Sequence, residues 1–304
     1  MVGWGAPWDM TSNRPQVVAL FGPTASGKTR VSEVLAAELG TEVVSADALQ
    51  VYRDLPILTN QPGSPTRLVA IRDLSYEFSV GEYAELAHAA IDELVDAHGV
   101  AVVSGGTGLY FRAALVDLDL PPAAESGART RWEAMYDLDP EGAHARLGEL
   151  DGAAASLVHR NDRRRVVRAL ELAELGGSLV PTHDRLWSGE TRRPTIVVGL
   201  EVSRDSLERR IRERTDDMFA RGVIDEVRRA VAGEVSKTAG KALGLRELTE
   251  LSPEQAPGWL AARTRRYAAY QRKWMRRTPD IVMIDADRPP EKVAHAILEM
   301  ARAR

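Results

Sequence analysis

Eight residues, Gly22-Pro23-Thr24-Ala25-Ser26-Gly27-Lys28-Thr29, limit what this chain can fold into more than any other feature. They follow the apolar run Val17–Phe21 and open an amphipathic stretch, Lys28–Leu39, that reads as a helix. A strand, a glycine-rich turn and a helix in that order aim backbone N–H groups and a helix N-terminus, worth about half an elementary positive charge, at one point. Such a point holds phosphate: Lys28 adds a mobile cation, and the Thr29 hydroxyl can hold Mg2+.

The surrounding text fits a parallel α/β core. Short β-branched runs at Glu42–Ser45 and Val100–Val103 alternate with a helical pattern through Tyr83, Leu86, Ala87, Ala90, Ile91 and Leu94. Gly105-Gly106-Thr107-Gly108 then turns the chain into another helix. Beyond Pro121-Pro122 the sequence becomes Ala-rich, charged and helical until Thr195–Leu200, which reads as a strand rejoining the first sheet. Residues 204–277 are mostly helical, and Ile281–Ile284 is a short strand before a closing helix. The expected organisation is a loose N-terminal extension over 1–14, with Met10 an alternative start, a P-loop NTPase-like core over 15–121 and 191–304, and a helical insertion over 122–190.

Composition excludes several chemistries. With no cysteine there is no thiolate nucleophile, disulfide or cysteine-bound zinc, and the six histidines lack ligand spacing. No apolar run approaches the roughly 18 residues that a membrane span needs, and residues 1–14 lack a signal-peptide pattern, so a cytoplasmic protein is expected. Nothing points to an obligate partner chain, and a monomer is expected.

The motif alone suggests phosphoryl transfer from a nucleotide, yet a second requirement for that chemistry is missing. A nucleotide-hydrolysing P-loop protein carries an Asp at the end of a later strand to orient Mg2+ and water. Here the later strand ends in Ser104-Gly105-Gly106, and the acid, Asp47, closes the second strand instead. In a parallel sheet that end lies beside the phosphate loop, where Asp47 can either cap a turn or accept a proton from a nucleophile.

The segment from Ser45 to Asn60, SADALQVYRDLPILTN, resembles the substrate segment of tRNA dimethylallyltransferases. The resemblance continues, in the family's order, through Gly105–Tyr110, Asn161–Glu171, Ala242–Glu247 and Thr264–Gln271 with Trp274 and Arg276, and covers about 17 to 290. It implies transfer of a dimethylallyl group from its diphosphate to N6 of adenosine 37 in tRNA, with Mg2+. The P-loop, Gly22 to Thr29, then binds the donor diphosphate, and Thr29 holds the metal. The catalytic set implied is Asp47 as proton acceptor, Thr107 beside the acceptor and Arg214 on the diphosphate. The tRNA contacts implied are Asp47, Ala48, Leu49, Gln50, Thr107, Arg129, Arg164, Arg165, Arg168, Lys241, Arg246, Gln271, Arg272 and Arg276. The last block departs from the family where Ala269-Tyr270 precede Gln271, so phosphate contacts there fall to Arg272 or Lys273. Residue chemistry alone leaves Arg214 open as a solvated charge and Thr107 open as a helix N-cap.

Presenting a stacked anticodon-loop adenosine to a buried donor requires extracting the base, which calls for basic surface around the site. The net charge is -4, but five arginines lie between Arg160 and Arg168, and seven basic residues with no acid lie between Arg263 and Arg277. Tyr267 and Trp274, seven apart and in phase with Leu260, read as the second helix's buried stripe. Three other readings fit parts of the sequence. An isopentenyltransferase acting on AMP, ADP or ATP needs no RNA clamp; a P-loop small-molecule kinase lacks its second acid; an RNA-binding protein with a vestigial loop does not explain intact Lys28, Thr29 and Asp47.

Overall fold

The computed structural model describes residues 14–118, 127–180 and 185–303. Two compact units emerge, one containing the chain up to Asp117 and from Leu186 onward, the other Leu118–Arg185. The sequence-based boundary at Pro121-Pro122 and nearly all of the N-terminal extension lie outside the described residues.

The first unit is a six-stranded sheet, every paired neighbour parallel, in the order β3-β2-β4-β1-β5-β6. Its strands are β1 (Val17–Phe21), β2 (Val43–Ala46), β3 (Thr66–Arg67), β4 (Ala101–Gly105), β5 (Thr195–Glu201) and β6 (Val282–Asp285). Its helices before the second unit are α1 (Lys28–Leu39), α2 (Val80–His98) and α3 (Gly108–Leu115). The second unit supplies α4 (Ala128–Leu138), α5 (Pro140–Leu150), α6 (Gly152–Leu157) and α7 (Arg163–Glu174). After β5 come α8 (Arg204–Ala220), α9 (Val223–Val231), α10 (Glu247–Glu250), α11 (Ala256–Arg277) and, after β6, α12 (Pro290–Arg302). Among the described residues no helix is long and apolar enough to cross a membrane.

The α/β architecture expected from the sequence is the one observed. All five residues of β1 are buried, as a strand covered on both faces requires. Val18 and Leu20 pack with Val31 and Leu35 of α1, Ile211 of α8 and Ile297 of α12 on one face. On the other, Phe21 meets Phe111 of α3 edge-on at 4.9 Å. Several strands are displaced by one or two residues from their expected limits, and β3 was not foreseen. It is two residues long and exists through pairing with β2, with Val43 opposite Thr66.

Register places the chemistry. Phe21 pairs with Gly105, and Gly105 with Ala46, so β1, β4 and β2 end level with one another. The next residues, Gly22, Gly106 and Asp47, therefore leave the sheet together at its carboxyl edge, where strand order reverses around β1 and ligands bind in such folds. The second unit has a core of its own, built on Tyr136, Leu147, Val158, Val166 and Leu170.

Candidate active site

Between β1 and α1 the backbone alternates in handedness. Ala25 has φ 62° and Gly27 φ 92°, a pattern that turns successive N–H groups into one concavity. Glycine takes such a φ freely; at Ala25 it costs on the order of 1 kcal/mol, a strain typical of ligand-binding loops. Gly27 caps α1 without a side-chain bond, leaving the helix's first amides for a ligand. Ser26 is buried and its hydroxyl finds no partner among the described residues.

Two cations converge on this loop. The Lys28 ammonium donates to the Pro23 carbonyl at 2.9 Å, and Arg214 Nη1 of α8 donates to Thr24 Oγ1 at 2.8 Å. Burial lowers the Lys28 ammonium to about 8 against the opposing pull of Asp47, with Arg214 adding to the fall. Burial likewise lowers the Arg214 guanidinium to about 10, again opposed by Asp47. One turn earlier on α8, Arg210 donates to the Ser26 carbonyl at 3.2 Å, gripping the loop from behind. The alternative of a solvated Arg214 is thus overturned: its guanidinium is half-buried and bonded to the phosphate loop.

Asp47 lies where both cations feel its charge. Its carboxylate accepts from the Leu49 amide at 3.0 Å, which fixes its rotamer just past the end of β2. Thr107 occupies the N-cap position of α3, yet its hydroxyl makes no capping bond. It turns toward the site, accepting from the Ala48 amide at 3.5 Å and lying 3.5 Å from the Tyr267 hydroxyl. Tyr267 therefore does not belong to a plain buried stripe. Leu260 is buried, but Tyr267 is partly exposed and lines the same cavity as Asp47. Burial, chiefly, pushes its phenol up to about 12, so it is a hydrogen-bond donor at neutral pH. The sequence signal for it was its spacing from Gln271, four residues on and so one helical turn away on the same face.

The cavity, about 130 Å³, is lined by the polar side chains of Lys28, Thr29, Asp47, Ser104 and Arg214 and by the apolar ones of Leu49, Leu58, Met218, Leu243 and Leu260. The segment after Asp47 is held by Glu226, which the sequence did not single out, and by Gln50, expected only as an RNA contact. Both oxygens of Glu226 on α9 accept from the chain, from Ile57 N at 2.8 Å and Leu58 N at 2.7 Å. Gln50 donates to the Asn60 carbonyl at 3.0 Å and accepts from Ser45 Oγ at 2.8 Å. The Thr29 hydroxyl lines the cavity and has no hydrogen-bond partner among the described residues, which leaves its lone pairs open. Among the described residues no three His, Cys, Asp or Glu are grouped to hold a metal ion. A Mg2+ bound here would take most of its oxygen ligands from a diphosphate and water, as that ion commonly does.

Of the expected site residues, Gly22 to Thr29, Asp47 to Gln50, Thr107, Arg214 and Gln271 are gathered at this edge. Gln271 is 3% exposed, and both ends of its amide bond to protein. Arg272 donates to the Val202 carbonyl. Lys241, Arg246 and Arg276 are exposed on the same unit. In the second unit Arg164 and Arg165 are exposed on the first turn of α7. Arg129 and Arg168 flank the buried carboxylate of Glu171, at 3.4 and 3.0 Å.

The IPP transferase family matches residues 50–278, and the isopentenyl transferase family matches residues 15–68. The tRNA dimethylallyltransferase of Streptomyces coelicolor is 36% identical over 285 residues, 88% of this chain and 89% of that protein. Its counterpart from a Nocardioides species is 37% identical, covering 92% of this chain and 94% of the other. The solved full-length tRNA isopentenylpyrophosphate transferase of Bacillus halodurans superposes with a TM-score of 0.66 at 32% identity, covering 95% of each chain. A eukaryotic dimethylallyltransferase captured acting on tRNA gives a TM-score of 0.70 at 25% identity, over 89% of this chain and 73% of that one. With three-quarters of its length inside the family's bounds and the fold and loop in register, the chain belongs to the IPP transferase family.

Proposed function

We propose that the protein transfers a dimethylallyl group from dimethylallyl diphosphate to N6 of adenosine 37 in tRNA. The observation that carries this reading is the placement of Asp47 within the field of both Lys28 and Arg214, at the rim of a phosphate loop. A leaving group and a proton acceptor thus share one cavity.

In the reaction the bond between the allylic carbon and the diphosphate oxygen breaks, and a bond from N6 to that carbon forms. Pyrophosphate departs with the electron pair, and one N6 proton passes to Asp47. An exocyclic adenine amine is a poor nucleophile because its lone pair is delocalised, so a carboxylate that accepts its proton as the bond forms lowers the barrier. The loop amides, Lys28 and Arg214 stabilise the charge that builds on the departing diphosphate, where fixed donors act without reorganising. Thr29 would hold Mg2+, which neutralises charge on diphosphate oxygens when bound. Thr107 orients the amine, and the apolar side chains of the cavity take the prenyl chain. The site residues of the phosphate loop, Asp47 and Arg214 carry donor and proton chemistry; the exposed Arg164, Arg165, Lys241, Arg246 and Arg276 are assigned to the RNA. On this reading the enzyme acts as a monomer in the cytoplasm on the anticodon stem-loop, with the helical insertion contributing RNA contacts.

The test supplies purified protein with dimethylallyl diphosphate, Mg2+ and either tRNA bearing adenosine 37 or free AMP, and weighs the nucleosides by mass spectrometry. A prenyl adduct on the tRNA is expected. An adduct on AMP alone would replace this reading with an adenylate prenyltransferase, and nucleotide hydrolysis without any adduct would replace it with a phosphotransferase.

A further inference from the structure

Gln271 is the one residue of the expected RNA-contact set whose side chain is sealed inside the protein, at 3% exposure. Its Oε1 accepts from the Thr24 amide at 2.7 Å, and its Nε2 donates to the Gly106 carbonyl at 3.0 Å. The fit is close. A Cβ on Gly106 would collide with Nε2 and stand 3.0 Å from the Gly22 carbonyl, so the turn after β4 has glycine where the amide and the loop both approach it. Thr24 is held from its other side by Arg214, through the hydroxyl. One turn before Gln271, Tyr267 reaches Thr107. A single face of α11 thereby touches both the phosphate loop and the turn that carries Thr107.

We infer that Gln271 is a positioning residue of the donor site, setting the Pro23–Thr24 peptide and its distance from Thr107, and is not a contact to RNA. Because its N–H is already bound, Thr24 is removed from the amides that face the diphosphate. The phosphate oxygens are left to the remaining loop amides, Lys28 and Arg214. The position calls for a carboxamide, which offers an acceptor and a donor on one planar group. Glutamate keeps the acceptor for Thr24 but cannot donate to Gly106, and it sets a negative charge beside the anion. Methionine has the length and neither function.

This inference rests on the transferase reading, and the experiment separates the two. Inorganic pyrophosphate with Mg2+ is titrated calorimetrically into wild type, Gln271→Met, Gln271→Glu and Gly106→Ala, and tRNA affinity is measured in parallel at fixed salt. Pyrophosphate affinity is expected to fall about tenfold in Gln271→Met, which loses both amide bonds, and in Gly106→Ala, whose Cβ displaces the carboxamide, with tRNA affinity within twofold. Gln271→Glu is expected to fall further at pH 8. Its ratio to wild type should narrow as pH is lowered, because a protonated Glu regains the donor; a merely structural role has no such pH signature. Unchanged pyrophosphate affinity, a loss confined to tRNA, or an equal loss of both overturns the inference. If wild type binds pyrophosphate but never prenylates tRNA, the transferase reading alone fails.

Discussion

Lys28 is pulled in two directions. Burial and Arg214 favour its neutral form and Asp47 favours its charged one, and the balance settles at about 8, well below its usual 10.5. Donor capture should therefore depend on pH. kcat/KM for dimethylallyl diphosphate, which reports the free enzyme, is expected to fall as pH rises through about 8, since the ammonium is lost there. A flat profile across that range and a unit or so above it would show that the charge is kept. Stability runs the other way. Between about 8 and 10.5 the unfolded chain holds a proton that the folded chain has released, so this group's contribution to stability rises with pH across that window. The charge of Asp47 supports the Lys28 ammonium. Replacing it in Asp47→Asn is expected to lower turnover by roughly 10² or more while tRNA affinity stays within a few fold. The same change removes a charge that supports Lys28, so the fall in donor capture should move to lower pH. Near-normal single-turnover rates in that variant would take Asp47 out of the proton transfer.

At the scale of elements, the loop between β2 and β3 is fastened from a distance. Glu226 accepts from two consecutive amides, and it is 4% exposed, so water is poorly placed to replace it. Glu226→Ala leaves both amides without their partner and is expected to cost about 2 kcal/mol or more in urea unfolding. It should also raise the KM for donor, because Leu58 and Thr59 line the cavity. An unchanged unfolding midpoint would mean that the loop finds other partners. Glu226 also marks the limit of what a sequence discloses. The strand, loop and helix around Gly22 to Thr29 were legible because their signals are local: an apolar run, glycines at fixed spacing, a helical period. The bonds from Glu226 to Leu58 and from Gln271 to Thr24 span 168 and 247 residues, and no periodicity or turn chemistry encodes them. Tyr267 failed differently. Its spacing from Leu260 and Trp274 is right for a buried stripe, but the level ends of β1, β2 and β4 leave a cavity beneath that part of α11. β3 was invisible because two residues, Thr66 and Arg67, carry no pattern of their own.

Across the whole molecule the arginines divide into those answered by carboxylates and those left for a polyanion. In the helical unit Arg163 is bidentate to Asp137 at 2.6 and 2.7 Å. Arg129 and Arg168 share Glu171, whose side chain is 0% exposed. Arg160 pairs with Glu141 at 2.8 Å. Arg164 has no ion-pair partner among the described residues, and Arg165 has only a 3.6 Å approach to Asp162. A net charge of -4 means that nonspecific attraction to RNA is weak, so these unanswered charges should dominate the salt dependence of binding. Each phosphate neutralised contributes about 0.7 to 0.9 to the slope of log affinity against log salt. The double variant Arg164→Gln/Arg165→Gln is therefore expected to weaken tRNA binding and reduce that slope by about 1.5, one step for each phosphate that the two side chains neutralise. Arg163→Gln is the contrast: it breaks an internal pair, so it should lower the unfolding midpoint of the helical unit and leave the slope unchanged. If both variants keep the wild-type slope, the arginines of α7 face solvent in the complex. The phosphate contacts then fall to the exposed basic residues of the first unit, Lys241, Arg246, Arg266, Lys273 and Arg276.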